Sequence, residues 1–415
     1  MTQLDTPGTL PAGKKLLRGT VVTDHKIIPH GLVATDGDRI VYAGLEVHFD
    51  EPGFGPGDVT EDMTAPDDGY LLPGLVDIHN HGAHGGDFPS GDEAAARAAI
   101  EFLHGAGTTT LLASMVTAAP EDLLRGIECY ARLTTEGLLA GIHLEGPFLS
   151  HARCGAQNPA FLLEPDLELA ARLIEAGAGT IATMTYAPEL PGADDLVDLL
   201  TAHGIVPSLG HTESDTPTAD ASLARAREGL DGAGFDGVSG RPTVTHLFNG
   251  MPPLHHRSPG PVAACLRAAK AGRAAVELIA DNTHLDPQTV LTVFDLVGAA
   301  NVLLVTDSMA AAGLADGTYM LGPSPVTVTD GVATIEGTGS IAGGTATLLD
   351  VVRRTHDAGV GLLDAVRAAT AVPAGVLGLD DEVGALRRGL RADVLVVDHR
   401  LELLNVLRAG QWLRN

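Results

Sequence analysis

The sequence predicts an α/β fold: a (β/α)8 barrel of the TIM type with a small β-sandwich domain formed by both chain termini. Apolar runs rich in β-branched residues recur eight times in the 415-residue chain, and each is followed by a helical pattern. This alternation is typical of a parallel barrel, whereas the remaining alternative, a doubly wound open sheet, gives no reason for eight units. Strand-like segments at both chain ends have no space for a core of their own, so we expect them to pair with each other.

The individual elements of the barrel follow from local signals. Helices expected at 123–134, 167–176 and 288–297 each begin beside a proline with acidic neighbours, which is a helix-start signal. The eight expected strands are Leu71–His79, Thr108–Met115, Gly141–Glu145, Thr180–Ala187, Val206–His211, Thr243–Leu247, Val276–Ala280 and Val302–Thr306.

The chain is expected to have three parts. Residues 1–13 are polar and form a flexible leader, residues 14–70 plus 385–415 form the β-sandwich domain, and residues 71–384 form the barrel. Strand patterns in the sandwich cover 15–23, 31–44, 389–398 and 401–414, with Gly and Asp turns between the first two.

Composition and charge exclude several classes of function. Hydrophobic residues make up 45% of the chain and charged residues 19%, as in a globular protein. The net charge of -27 repels nucleic acid and anionic membranes, so neither is expected as a partner, and an anionic substrate would need local Arg or His groups. Three widely spaced cysteines, no signal peptide and no membrane-spanning run indicate a cytoplasmic protein.

Residues that bind metals or transfer protons stand at the ends of the predicted barrel strands. Catalytic groups of such barrels lie at the carboxyl ends of the strands, so these side chains are expected to converge. A single His or Glu at a strand end is more often structural, but six such ends together indicate a metal site. The residues are His79, His81, Glu145, His211, His246, His284 and Asp307.

The residue types indicate a catalytic metal centre. Glu145, His211 and His246 form one complete ligand set that leaves a coordination position open. His79, His81 and Asp307 can form a second set, with Glu145 as a bridge. Imidazole and carboxylate ligands favour zinc, with Fe, Co, Mn or Cd as alternatives, and one or two divalent ions per chain are expected. The four lysines lie outside the barrel strands, which disfavours a carbamylated-lysine bridge.

The ordered motifs resemble those of the N-acetylglucosamine-6-phosphate deacetylases of the amidohydrolase superfamily. The resemblance covers roughly residues 15 to 412. Its motifs are Leu72–His79, His143–Phe148, Ala187–Glu189, Leu209–His211, Thr245–Pro253, Arg257–Gly260, Ala280–His284 and Val305–Met309. The resemblance implies hydrolysis of an N-acetyl group from an amino-sugar phosphate, giving acetate and a free amine.

The same resemblance implies roles for individual residues. Glu145, His211 and His246 match metal ligands, and Asp307 matches the catalytic aspartate that moves a proton from water to the leaving amine. The implied substrate-binding residues are Ala156, Gln157, Asn249, Gly250, Arg257 and His284. Arg257 matches a phosphate-binding arginine that can act across a dimer interface, so a homodimer is expected.

The chain departs from the family pattern at Gln157, where well-known members have a histidine that helps to polarise the acetyl carbonyl. A Gln amide can donate a hydrogen bond but cannot become cationic. Because His79 and His81 are both present, we hypothesise that a second metal compensates for this change.

The expected substrate is N-acetyl-D-glucosamine 6-phosphate. The alternatives are N-acetylgalactosamine 6-phosphate, a different amidohydrolase reaction, or an inactive sugar-phosphate-binding regulator. The complete set of Glu145, His211, His246 and Asp307 argues against the regulator.

Overall fold

The computed structural model describes residues 13–55, 57–66, 69–233 and 240–413. The predicted leader, apart from Gly13, and the end of the predicted last strand at Arg414 lie outside these residues. The chain divides into two compact units, one formed by residues up to Gly74 together with those from Asp381 onwards, and the other by Leu75–Asp380. None of the described helices is long and apolar enough to cross a membrane.

The strands, in chain order, are β1 Lys14–Val22, β2 Ile27–Asp36, β3 Arg39–Leu45, β4 Val59–Thr64, β5 Tyr70–Pro73, β6 Val76–Asp77, β7 Gly82–Ala83, β8 Gly86–Asp87, β9 Thr110–Val116, β10 Gly141–Glu145, β11 Ile181–Tyr186, β12 Val206–Leu209, β13 Thr243–Val244, β14 Ala275–Leu278, β15 Val302–Leu304, β16 Gly317–Leu321, β17 Ser324–Thr329, β18 Val332–Ile335, β19 Val394–Val397, β20 Leu403–Arg408 and β21 Gln411–Trp412. The α-helices are α1 Glu93–Gly105, α2 Pro120–Thr135, α3 Leu167–Gly177, α4 Ala193–Ala202, α5 Thr216–Gly232, α6 Gly260–Lys270, α7 Pro287–Val297, α8 Leu348–Asp357, α9 Leu362–Ala368 and α10 Ala371–Val376.

Strands from both chain ends form the sheet of the first unit, as predicted. The strand order is β21-β20-β19-β5-β1-β2-β3, with β4 beside β1. Side chains from the early and late strands share one hydrophobic core, which contains Leu17, Val33, Val396 and Leu407. Leu16, the neighbour of Leu17 on β1, packs into a separate cluster, because adjacent strand residues point to opposite faces of a sheet.

The second unit contains the predicted eight-stranded parallel sheet, in the order β15-β14-β13-β12-β11-β10-β9-β6. Its two end strands, β6 and β15, are joined just beyond their carboxyl ends. The Asp307 amide donates to the His79 carbonyl oxygen over 2.9 Å, and the His81 amide donates to the Ser308 carbonyl oxygen over 2.7 Å. These bonds close the barrel at the edge where catalytic residues are expected.

The first predicted barrel strand, Leu71–His79, is wrong as a single element. It is divided between the two units: β5 pairs with β1 and β19, whereas β6 pairs with β9 in the barrel. The run is buried throughout, although its residues belong to two sheets. Its fully buried apolar residues are Leu71, Leu72, Leu75 and Val76.

Sequence patterns also missed a three-stranded antiparallel sheet, β16-β17-β18, which follows the eighth barrel strand. Its core includes Leu321, Val326 and Val328, and Val116 and Met309 pack against it from the barrel. Val326 and Val328 of β17 do alternate with Thr327, but the three strands are only 5, 6 and 4 residues long and partly exposed, so the signal is short.

Candidate active site

The predicted ligand residues lie at or just after the ends of the barrel strands. Glu145 ends β10, whereas His211, His246 and Asp307 stand two or three residues beyond β12, β13 and β15. These last three residues have φ angles of 45°, 28° and 46°. This left-handed conformation is uncommon for residues other than glycine and is often found at functional sites. It turns the chain sharply at the point where each strand ends.

Glu145, His211 and His246 form the first group of possible metal ligands, and all three are buried. Oε1 of Glu145 lies 2.9 Å from Nε2 of His211 and 2.9 Å from Nε2 of His246. The two imidazole nitrogens are 3.1 Å apart. Three ligand atoms from three strands therefore meet at one point, as the strand-end pattern predicts.

His79, His81 and Asp307 form a second group with the same glutamate. Oδ1 of Asp307 lies 3.2 Å from Nε2 of His79 and 3.1 Å from Nε2 of His81. The second oxygen of Glu145, Oε2, is 3.1 Å from Nε2 of His81. Glu145 thus presents one oxygen to each group, which is the bridging position expected from the sequence.

The orientation of the histidines fits a bound cation. Nδ1 of His211 faces the Arg153 carbonyl oxygen at 2.7 Å, and Nδ1 of His81 faces the Ser114 carbonyl oxygen at 3.1 Å. A nitrogen that faces a carbonyl oxygen must carry a hydrogen, so the neutral ring has its lone pair on Nε2. The Nε2 lone pairs therefore point at each other and at carboxylate oxygens, an arrangement that a divalent ion stabilises.

The charges of the site are strongly coupled. Burial alone would raise the pKa of Glu145, but hydrogen bonds with His211 and His246 hold it well below its usual range. Burial likewise opposes ionisation of Asp307, yet the adjacent His79 and His81 hold the pKa of its carboxyl group below its usual range. Both carboxylates are therefore anionic near neutral pH and suited to bind a cation.

Residues of both groups line a cavity of about 270 Å³. Most of the predicted substrate-binding residues line this cavity, namely Ala156, Gln157, Asn249, Gly250 and His284. Asp307 also lines the cavity, so its carboxylate can contact a ligand there while it also contacts the histidines of the second group. Nδ1 of His284 faces Oδ2 of Asp281 at 2.8 Å, which fixes the orientation of this imidazole.

Gln157 contacts the shared glutamate directly. Its Nε2 donates to Oε2 of Glu145 over 2.7 Å, and its Oε1 accepts a hydrogen bond from the Thr117 amide over 2.8 Å. The Thr117 contact determines which end of the amide faces the carboxylate. Gln157 is therefore buried and oriented as a hydrogen-bond donor within the cluster.

Arg257 is not brought into the cavity. It lies on an exposed segment that also contains His255, His256 and Leu254, and the last of these is 52% exposed. The cavity described above is lined by residues of other segments. A phosphate-binding role for Arg257 thus remains a prediction that requires a second chain.

Sequence reasoning missed Glu277 and Leu321 at the site, and it favours a turn over a backbone anion site for residues 339–345. Glu277 on β14 is buried beside His79, and Leu321, Ser340, Ile341 and Gly343 line the cavity from the region after β15. Glu277 lies within a strand rather than at its end, so the strand-end search did not find it. His143 is buried between Ser114 and Thr185, which agrees with the structural role that its deeper position in the strand suggests.

Comparison with known proteins gives consistent results. The model of the amidohydrolase family matches residues 70–413. The chain is 31% identical over 409 residues to the N-acetylglucosamine-6-phosphate deacetylase of Bacillus subtilis (strain 168), covering 94% of each chain. It is also 31% identical to the human N-acetylglucosamine-6-phosphate deacetylase, covering 82% of each chain.

A solved structure is similar over nearly the whole length. It is a variant of the N-acetyl-D-glucosamine-6-phosphate deacetylase of Mycobacterium smegmatis in complex with N-acetyl-D-glucosamine-6-phosphate. The TM-score is 0.86 at 37% identity, covering 97% of this chain and 100% of the other.

Proposed function

The chain belongs to the amidohydrolase family, and we propose that it hydrolyses the N-acetyl group of N-acetyl-D-glucosamine 6-phosphate to glucosamine 6-phosphate and acetate. The observation that carries this proposal is the pair of ligand groups that share Glu145 and line the cavity. The relatives with this printed activity match the chain over most of its length, and one was solved with the sugar phosphate bound.

In this proposal Glu145, His211 and His246 would hold a divalent ion, and His79, His81, Asp307 and the shared Glu145 would hold a second one. Zinc is the ion that this ligand set favours, although Fe, Co, Mn and Cd share the preference for imidazole and carboxylate. When bound, the ion supplies Lewis acidity, which makes water nucleophilic at neutral pH and offsets negative charge on the amide oxygen.

Asp307 transfers the proton. Its carboxylate lines the cavity beside His79 and His81, so it is placed to accept a proton from the attacking water. The Asp307 carboxyl group can then return that proton to the amide nitrogen of the substrate as the C–N bond breaks, so that the amine leaves as a neutral group. Gln157 keeps the shared carboxylate in place by donating to Oε2 of Glu145.

The remaining cavity residues position the sugar phosphate. The Asn249 side-chain amide, the Gly250 backbone N–H and His284 are hydrogen-bonding groups at the cavity wall. Gly250 has a φ of 61°, and a Cβ added there would lie 2.9 Å from Nδ1 of His211, so a side chain would press against the metal centre. Arg257 binds the phosphate from the partner chain of a homodimer, which its exposed position outside the cavity allows.

The test is acetate release by the purified protein with two epimeric substrates, measured together with metal content per chain. We expect faster turnover of N-acetyl-D-glucosamine 6-phosphate than of N-acetyl-D-galactosamine 6-phosphate, with at least one divalent ion per chain. Faster turnover of the galacto epimer would change the assigned substrate to N-acetyl-D-galactosamine 6-phosphate. Sugar-phosphate binding without acetate release by metal-loaded protein would identify a regulator and contradict the proposal.

A further inference from the structure

Glu277 is a buried carboxylate that no step of the proposed reaction uses. It lies on β14 and is only 2% exposed. Its Oε2 is 3.0 Å from Nδ1 of His79 and accepts a hydrogen bond from the His246 backbone amide over 3.2 Å. One side chain thus contacts a residue of each ligand group.

The contact with His79 determines which ring nitrogen can bind a metal. Because Nδ1 faces a carboxylate, it must carry a hydrogen, so when a cation takes the place of a proton at Nε2, the neutral ring offers the lone pair of Nε2 to that cation. Nε2 of His79 faces Nε2 of His81 at 3.1 Å and Oδ1 of Asp307 at 3.2 Å. A carboxylate behind a histidine ligand orients the ring and increases its basicity.

A carboxylate that faces Nδ1 of a candidate histidine ligand is found in the second group and not in the first, among the described residues. His81 and His211 are oriented by neutral backbone carbonyl groups, and Nδ1 of His246 has no hydrogen-bond partner among the described residues. Among the four imidazoles of the two groups, His79 is the one that has a carboxylate at Nδ1 in the described chain.

The charge balance points in the same direction. A buried charge is costly unless an opposite charge compensates it. Among the described residues, Asp307 and Glu277 are the carboxylates, besides the shared Glu145, that contact the imidazole rings of His79 and His81. Glu145, the remaining carboxylate of the centre, is shared with the first group.

From this geometry we propose that Glu277 is the positioning residue of the second metal site, acting through His79 rather than by contact with the ion or substrate. The proposal rests on the proposed function, since it presumes a metallohydrolase. It predicts that Glu277 determines the affinity for the second ion, whereas the first ion, at Glu145, His211 and His246, binds independently of it.

The experiment measures zinc bound per chain by elemental analysis, and the affinity of each ion by competition with a chelator. Wild-type protein is expected to bind two ions. In Glu277→Gln, which keeps the shape but removes the charge, we expect the second ion to bind about 10- to 100-fold more weakly, with the first unchanged. Asp393→Asn is the control, because Asp393 is a buried carboxylate that accepts hydrogen bonds from Arg391 and the Ala409 amide instead of contacting a candidate metal ligand.

A double-mutant cycle separates positioning from general structural support. If Glu277 acts through His79, adding Glu277→Gln to a His79→Asn variant lowers the affinity for the second ion no further. An additional loss in that background, or equal weakening of both ions in the single variant, would overturn the proposal. If Glu277→Gln does not fold, Glu277→Met removes the charge with an apolar side chain of similar length, and the same result is expected.

The outcomes distinguish this inference from the function on which it rests. Unchanged affinity for the second ion in Glu277→Gln, or a wild-type enzyme that hydrolyses its substrate with one ion, would overturn the role of Glu277 alone. A wild-type chain that binds no divalent ion would overturn both the role of Glu277 and the proposed function.

Discussion

Nε2 of Gln157 donates to Oε2 of Glu145 over 2.7 Å, and the same oxygen lies 3.1 Å from Nε2 of His81. Gln157 therefore contacts the carboxylate that the two ligand groups share. This contact gives a physical basis to the hypothesis that a second metal compensates for Gln157 in place of a histidine. Gln157 is a neutral donor, so the negative charge of Glu145 remains available to two cations.

We expect Gln157→Ala to lower the deacetylation rate about 10- to 100-fold, since a buried hydrogen bond to a charged group is worth roughly 1.5–3 kcal/mol. Gln157→Glu should be slower still, because it places a second carboxylate beside Glu145. Gln288→Glu, at an exposed glutamine, is the control. Unchanged rate constants in both Gln157→His and Gln157→Ala would refute the role assigned to Gln157.

Arg257→Ala is expected to raise KM for the sugar phosphate about tenfold or more with little change in kcat, since a phosphate contact serves binding before chemistry. Arg257→Lys should be intermediate, because an ammonium group cannot form the paired hydrogen bonds of a guanidinium. Steady-state kinetics check this, with Arg125→Ala as a control for an exposed arginine. A KM equal to that of the parent would contradict the assignment.

The proposed action of Arg257 across a dimer interface can be tested by mixing two variants that are each impaired at low substrate concentration. Chains carrying Arg257→Ala and chains carrying Asp307→Asn are refolded together and assayed at low substrate concentration. If Arg257 acts on the partner's cavity, mixed dimers contain one complete site and activity returns. No recovery in demonstrated mixed dimers would place Arg257 in the cavity of its own chain or outside the reaction.

The buried Asp281–His284 pair predicts a pH dependence of stability. Burial lowers the pKa of His284, but Asp281 raises it above its usual value; the pKa of Asp281 is correspondingly lowered despite its burial. The Asp281 contribution is present above its unfolded pKa and is lost as the pH falls through the lowered value. The His284 contribution is present below its unfolded pKa of about 6.5 and is lost as the pH rises through the raised value.

We therefore expect His284→Asn to destabilise the fold most near pH 5.5, and less as the pH rises above neutral. The measurement is the free energy of unfolding in denaturant at several pH values, compared with wild type. His203→Asn, at an exposed position, controls for removal of an imidazole. A destabilisation that grows steadily with pH would show that the ion pair is not the cause.

Thr347 begins α8 with a capping box, in which its Oγ1 accepts from the Asp350 amide at 3.3 Å and Oδ2 of Asp350 accepts from the Thr347 amide at 3.1 Å. Thr347→Ala should cost about 1 kcal/mol of unfolding free energy. Thr292→Ala, on the exposed side of α7, should change it by less than about 0.5 kcal/mol. Equal effects of the two substitutions would contradict the capping role.

Much of the barrel and the meeting of the candidate ligand side chains could be predicted from the sequence, because parallel strands bring their carboxyl ends to one edge. His79, His81, Glu145, His211, His246 and Asp307 all follow this rule and meet in the structure. The division of 71–79 between two sheets was missed because the run is buried on both sides of the break, although Pro73-Gly74, a turn signal, stands at that break.

Residues placed by tertiary packing were also beyond sequence reasoning. Glu277 stands inside an apolar strand, and its partner His79 is distant along the chain, so no local pattern connects them. The segment with Ser340 and Gly343 has the composition of an ordinary turn, and it lines the cavity because the three-stranded sheet before it packs against the barrel.

We propose that Asp307 and the other residues of the two candidate ligand groups form a hydrolytic metal centre for an amino-sugar phosphate. The most direct measurement compares acetate release from N-acetyl-D-glucosamine 6-phosphate by metal-loaded wild type and Asp307→Asn, with substrate affinity determined calorimetrically for both. We predict that wild type releases one acetate per sugar, and that Asp307→Asn binds the substrate but turns it over about 10²- to 10⁴-fold more slowly. Equal rates of acetate release from the two proteins would contradict the account.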